Sequence, residues 1–308
     1  MKHLLYLKEL NQEIILQLLD KAESFLSHNN YPTEKEKILQ GTILANLFFE
    51  PSTRTRSSFQ IAATRLGADV INIDEEHSAR AKGETVIDTI NTLEAMGVSY
   101  FVIRHRERNI FEKMIKSTNP GSHIINAGES DESHPTQGLL DLLTIRKHTK
   151  NFDRLKVAII GDIKHSRVAR SLTEGLTAMS VKELTLITPD EFKPNMEHYP
   201  NASHSNNLDE GLTNADVVVA LRVQTERIKS LRAAIGPKDY FENYGLTEER
   251  LLSCKDNVIV MHPGPMNRGV EISNAVADGI HSVIKEQVTN GIATRMALLS
   301  MMQEQLPT

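Results

Sequence analysis

Eight short apolar runs rich in β-branched residues recur along this chain, most of them separated by stretches of helical period, and that alternation constrains the fold most strongly. In the first half the runs are Ile43 to Phe49, Val70 to Ile73, Tyr100 to Ile103 and His123 to Asn126; in the second they are Val157 to Ile160, Leu184 to Thr188, Val217 to Leu221 and Val258 to Met261. Strands that need a helix-length crossover between them pair in parallel, so the expected class is α/β: two similar domains, each a mostly parallel sheet flanked by helices. A length of 308 residues suits two such domains.

The intervening helices carry their own signals. After Ser52, the residues Phe59, Ala62, Ala63 and Leu66 form an i, i+3, i+4, i+7 stripe that stops at Gly67. Pro135 suits a first helical turn, and Leu139, Leu140, Leu142, Leu143 and Ile145 follow it in one strongly apolar helix before a polar stretch. The domain junction is placed on that helix. The last segment, Ala293 to Gln305, reads as a helix with no strand after it, so it is expected to return to the first domain. The expected division is therefore residues 1–134 with 286–308, and residues 135–285.

Composition removes whole classes of function. Hydrophobic residues at 40% and charged residues at 24% are ordinary globular values, which excludes disorder as the main state. Thirty-five Lys and Arg against 40 Asp and Glu leave a net charge of −5, unsuited to a general nucleic-acid or anionic-membrane binder. No stretch approaches the roughly 18 to 20 apolar residues that cross a bilayer, and the first residues lack an apolar signal segment, so a soluble, cytoplasmic protein is expected. Cys254 is the only cysteine, which rules out an intrachain disulfide and a cysteine zinc cluster. HExxH, a P-loop lysine and an Asp-rich calcium loop are also missing, and neither metal nor cofactor is expected.

In open parallel sheets ligands bind beyond the carboxyl ends of the strands, where helix N-termini converge with unpaired amides. The first strand is followed by Ser52, Thr53, Arg54, Thr55 and Arg56, three hydroxyls and two guanidiniums on the opening turn of a helix. Ordinary capping needs one hydroxyl, so this turn reads as an anion cradle with Arg54 as a bidentate clamp. The second strand leads into a polar loop containing Ser78, Arg80 and Lys82, by itself equally an exposed charged loop. The third exits at Arg104, His105 and Arg106, and the fourth leads to His134, Pro135, Thr136 and Gln137. A histidine and an amide there suit hydrogen bonds to one small carbonyl group, although a loop-end histidine is more often merely solvated.

In the second half, the segment from Gly161 to Arg167 has the outline of a dinucleotide-binding turn but lacks GxGxxG, with Asp162 where a second turn glycine is needed. Arg222 and Gln224 follow the seventh run, and His262-Pro263-Gly264-Pro265 follows the eighth. Arg167 and Arg222 suit a dianionic ligand; the Gly264-Pro265 bond is a candidate cis peptide within a rigid turn.

Taken in order, FFEPSTRTRSSF, HPTQ, GDIKHSRVARS and RVQTER, with the His-Pro-Gly-Pro turn and the closing NGIATRMALL helix, make nearly the whole chain resemble the catalytic chains of the aspartate carbamoyltransferase family. Ornithine carbamoyltransferases share the phosphate motif and HPTQ but typically carry His-Cys-Leu-Pro and a Ser-Met-Gly loop, which this chain lacks. The resemblance implies carbamoyl transfer from carbamoyl phosphate to L-aspartate in pyrimidine synthesis, in a cleft between the domains of a homotrimer. It implies that Ser52, Thr53, Arg54 and Thr55 cradle phosphate, that Thr55, Arg104 and His134 surround the carbamoyl oxygen, and that Gln137 contacts the carbamoyl amide. Arg167, Arg222 and Gln224 match aspartate-carboxylate readers, and the turn at Gly264 and Pro265 matches backbone contacts, with Gly264 where many members have leucine. Ser78 and Lys82 match loop residues that enter the neighbouring subunit's site, Lys82 also toward aspartate. Neither a metal nor a covalent nucleophile is implied, and no regulatory chain is specified.

Overall fold

The computed structural model describes residues 1–26, 36–74, 83–149, 151–223 and 236–304. They divide into two compact units, Met1–Leu143 with Val288–Thr308, and Thr144–Gln287.

The first unit is built on four parallel strands, β1 (Ile43–Phe48), β2 (Asp69–Asp74), β3 (Val98–His105) and β4 (His123–Glu129), in the order β2-β1-β3-β4. Helices cover such a sheet on its faces, so its central strands are apolar throughout instead of alternating, as the fully buried run Tyr100 to Ile103 illustrates. The connections carry α2 (Thr53–Arg65), α3 (Val86–Ala95) and α4 (Ile110–Ser117), after an α1 (Gln12–Ser24) near the N-terminus. Phe59, Ala62, Ala63 and Leu66 are all buried, so the expected stripe is the core face of α2, and Gly67 ends it with φ +90. The chain start is tied to β4. The Leu4 amide donates to the Ile124 carbonyl, and the Asn126 amide to the Leu4 carbonyl.

The second unit holds five parallel strands, β5 (Lys156–Ile160), β6 (Glu183–Ile187), β7 (Ser203–Ser205), β8 (Val217–Ala220) and β9 (Ile259–Met261), in the order β7-β6-β5-β8-β9. Its core gathers Ala158, Ile160, Val218, Val260 and Ile272 with Leu208 and Leu212 of α7 (Leu208–Leu212), and α6 (Arg167–Ala178) buries Ala169, Leu172 and Leu176.

The chain crosses between units inside two helices, α5 (Pro135–His148) and the C-terminal helix (Ile284–Gln303). The crossings at 143/144 and 287/288 lie nine and two residues beyond the positions expected from sequence. The first turns of α5 belong to unit 1 because they pack on the C-terminal helix, where a Cβ on Gly291 would stand 3.1 Å from a Leu140 methyl. Three further differences have local causes. β7 is Ser-His-Ser, an edge strand without an apolar signal. β3 and β4 run on through Arg104, His105 and Ala127 to Glu129 because the parallel ladder continues there, Phe48 opposite Arg104. The C-terminal helix begins at Ile284, before the apolar run, with Gln287 and Asn290 buried in its polar half.

Candidate active site

In each sheet the strand order reverses once, and a crevice opens beyond the strand ends at such a switch point. In unit 1 the switch lies between β1 and β3, and in unit 2 between β5 and β8. Most of the described residues singled out from sequence lie at or beyond the carboxyl ends of these strands.

At the first, Ser52 is the N-cap of α2 with extended backbone (φ −159, ψ 92), yet its hydroxyl makes no cap hydrogen bond. The first turn carries no acidic residue, so nothing there offsets the positive end of the helix. Thr53 and Arg54 are exposed, whereas Thr55 turns inward. Its Oγ1 lies 3.5 Å from Nε2 of the buried His134, the residue just before α5. Arg104, near the end of β3, donates through Nη1 to the Ala127 carbonyl at 3.4 Å, and its Nε is 3.2 Å from Oε2 of Glu50. Gln137, one turn into α5, donates from Nε2 to Oδ1 of the fully buried Asp141 at 2.9 Å.

Helix N-terminus, hydroxyl and imidazole thus meet beyond β1 and β4, with the Arg104 guanidinium near the end of the neighbouring β3, an arrangement that suits a phosphate next to a polarised carbonyl. His105 does not join them: it is buried edge-on against Phe49 at 5.2 Å between ring centres, and its Nδ1 accepts from the Glu107 amide.

At the second switch point Arg167 is the first residue of α6, behind an N-cap in which Ser166 Oγ accepts from the Ala169 amide. Arg222 follows β8 and is half-buried. The two exits approach closely, because Gly161 takes φ +133 and a Cβ there would lie 2.8 Å from the Leu221 carbonyl oxygen. Asp162, where a dinucleotide turn would need glycine, is buried and accepts from His165 Nδ1 at 2.7 Å. The Gly264-Pro265 bond is cis. Its turn is held by His262, whose Nδ1 accepts from the Gly264 amide at 2.7 Å while its Nε2 is 3.2 Å from Oε1 of the buried Glu271. The other oxygen of Glu271 accepts from the Val223 amide, and Asn267 Nδ2 donates to the Val223 carbonyl. Glu271 therefore fixes the backbone next to Arg222 and the 262–267 turn together.

Ser78 and Lys82 (in 75–82) and Gln224 (in 224–235) lie outside the described residues. Among the described residues no His, Cys, Asp or Glu cluster is arranged to hold a metal ion. Sequence reasoning did not find Glu50, Asp141, Arg295 or Glu271. A signal existed for Arg295, a single cation inside the apolar run of the last helix, and for Glu50, which adjoins the cationic turn; Asp141 and Glu271 carry none.

Residues 2–147 match the family model for aspartate/ornithine carbamoyltransferase, carbamoyl-P binding domain, and residues 153–302 match that for the Asp/Orn binding domain. Among solved structures, aspartate transcarbamoylase from Trypanosoma cruzi in complex with carbamoyl aspartate and phosphate is 30% identical, with a TM-score of 0.83 over 97% of this chain and 94% of that one. The same enzyme in complex with carbamoyl phosphate gives 30% identity and a TM-score of 0.87 over 97% and 95%. Ornithine carbamoyltransferase from Pyrococcus furiosus, at 24% identity and a TM-score of 0.87 over 99% and 98%, shares the fold.

Proposed function

Since the chain belongs to the aspartate/ornithine carbamoyltransferase family, we infer that it transfers the carbamoyl group of carbamoyl phosphate to the α-amine of L-aspartate, giving N-carbamoyl-L-aspartate and phosphate. This is a step of pyrimidine synthesis. The observation that carries the reading is the 3.5 Å contact between Thr55, on the acid-free first turn of α2, and the buried His134. Support for aspartate comes from the Trypanosoma cruzi enzyme, solved with carbamoyl phosphate and aspartate together and with N-(phosphonacetyl)-L-aspartic acid.

The chemistry follows from charge. Carbamoyl phosphate carries its own leaving group, so catalysis consists of holding two anions together and stabilising the oxygen on which negative charge grows. Ser52, Thr53, Arg54 and Thr55 hold the phosphate. Attack by the neutral amine places charge on the carbonyl oxygen, where Thr55, Arg104 and His134 act as donors worth roughly 3 to 4 kcal/mol each when well placed. Gln137 holds the carbamoyl NH2. The departing phosphate accepts the proton that the amine loses, so no protein base is needed. Arg167, Arg222 and Gln224 take the aspartate carboxylates, with backbone contacts from Gly264 and Pro265. Alignment of the two reactants contributes as much again as the donors.

The working unit is a homotrimer in the cytoplasm, with Ser78 and Lys82 supplied by the adjacent subunit. No helix among the described residues is long and apolar enough to cross a membrane. Two assays test it. Steady-state turnover with carbamoyl phosphate should occur with aspartate and fall by at least 100-fold with ornithine; the reverse preference rejects the substrate assignment. Mixed Arg54→Ala and Lys82→Ala chains should recover activity by forming intact shared sites, and no recovery after demonstrated subunit exchange rejects sharing.

A further inference from the structure

Behind Gln137 lie two buried charged residues, Asp141 and Arg295, that the reaction as written above does not use. Gln137 and Asp141 stand four residues apart on one face of α5, with Nε2 to Oδ1 at 2.9 Å. Asp141 is fully buried and Arg295 nearly so. Arg295 reaches in from the C-terminal helix, donating through Nη1 to the Gly291 carbonyl at 2.8 Å and through Nη2 to Thr136 Oγ1 at 3.5 Å. Its guanidinium lies 4.9 Å from the centre of the Phe59 ring on α2. Burial pulls the Arg295 pKa down to about 10 while Asp141 pulls it back up. At neutral pH the group is still a cation.

Stability does not explain this arrangement. Buried charges lose more hydration than their attraction commonly returns, and apolar residues of equal volume fill a core at least as well. What the charges accomplish is to break a symmetry. The two ends of a glutamine amide are nearly equal in shape but opposite in hydrogen bonding, and a carboxylate can only accept. An ionised Asp141 therefore obliges Gln137 to turn its NH2 inward, which leaves its carbonyl oxygen as the end offered to a ligand.

We propose that Asp141 and Arg295 are positioning residues that lock the amide of Gln137 oxygen-outward, so that the site demands an N–H donor on the transferred acyl group. A carbamoyl group supplies that donor; an acetyl group, with a methyl in its place, leaves the oxygen unpaired. The inference rests on the assignment of Gln137 to the carbamoyl amide. It adds the reason why that residue discriminates.

The test compares two stable phosphonates of the same shape, phosphonoacetamide and acetonylphosphonate, by calorimetric titration. The wild-type protein should bind the amide at least tenfold more tightly than the methyl ketone, a ratio expected where a site's polar group would be left unpaired. In Asp141→Asn the acceptor-only constraint is gone and Gln137 can turn over, so the ratio should fall to about threefold or less, with the dissociation constant of inorganic phosphate unchanged. Asp141→Glu, which keeps a carboxylate, should restore the ratio. An unchanged ratio in Asp141→Asn, or equal weakening of both phosphonates and of phosphate, overturns the proposal. A second measurement needs no buried substitution: in wild-type protein the Gln137 Nε2 protons, identified by their loss in Gln137→Ala, should stay protected from exchange and keep their shifts when phosphonoacetamide binds. Large shifts on binding would mean that the NH2 faces the ligand, and would overturn the proposal as well. Absence of carbamoyl transfer by the wild-type enzyme would instead reject the function, which this pair of ligands does not probe.

Discussion

Arg104 and Glu50 stand at the two strand ends that flank the first switch point, and the carboxylate occupies the guanidinium at 3.2 Å. An incoming phosphate is a stronger partner than a half-exposed carboxylate but must first displace it. Glu50→Gln removes both the competitor and a negative charge beside an anion site. Inorganic phosphate should then bind about threefold to tenfold more tightly, the equivalent of roughly 1 kcal/mol for a partly exposed pair. Calorimetry at fixed ionic strength checks this; weaker binding would mean that Glu50 organises Arg104 for the phosphate instead of competing for it. In unit 2 the decisive single residue is Gly161. An alanine there meets the Leu221 carbonyl at 2.8 Å and must also hold φ +133. Gly161→Ala should cost about 3 kcal/mol in urea unfolding. Because Leu221 precedes Arg222, the KM for aspartate should rise more than that for carbamoyl phosphate.

Among the elements, α3 shows how local chemistry fixes a boundary. Thr85 Oγ1 accepts from the Asp88 amide at 3.1 Å, and Asp88 Oδ2 accepts from the Thr85 amide at 3.3 Å, so two otherwise unpaired donors of the first turn are satisfied reciprocally. Thr85→Ala should destabilise the protein by about 1 kcal/mol, read as a lower denaturant midpoint at constant m-value. The C-terminal helix joins elements far apart in sequence. Arg295 touches Thr136 of α5 and Phe59 of α2, while Glu286 at its start pairs with Lys147 and His148 at the end of α5. Those two partners hold the Glu286 carboxyl down at about 2.

At the scale of the whole molecule, the N-terminal segment gives unit 1 an acid-sensitive seam. His3 Nδ1 accepts from the Ile124 amide at 3.1 Å, which requires the neutral ring, and burial together with Lys2 and His123 lowers its pKa to about 4. Burial lowers His123 too, where it stacks on Tyr100 at 4.5 Å. In the unfolded chain both titrate near pH 6.5. Between there and about 4 the unfolded chain takes up protons that the folded one refuses, so stability falls with pH over that window and levels off below it. Discounted for partial exposure, the loss is roughly 1 kcal/mol for His3. Thermal midpoints across pH 7 to 4 should show it, and His3→Gln should flatten the curve; an equal slope in the variant would place the sensitivity elsewhere.

The sequence by itself determined the class of fold and the cationic turn, because a doubly covered parallel strand must be apolar along its whole length and an anion cradle must crowd donors onto a helix start. Ser52 to Thr55, Arg104, His134 and Gln137 stood out as candidates for that reason: each is an otherwise needless polar residue at or shortly after a strand exit. The tertiary structure alone decided the partners. Glu50 on Arg104, Asp141 and Arg295 behind Gln137, and Glu271 beneath the 262–267 turn are ordinary charged residues until folding buries them beside a particular group. Their effect is electrostatic and falls off over a few ångströms, a distance that chain position does not record.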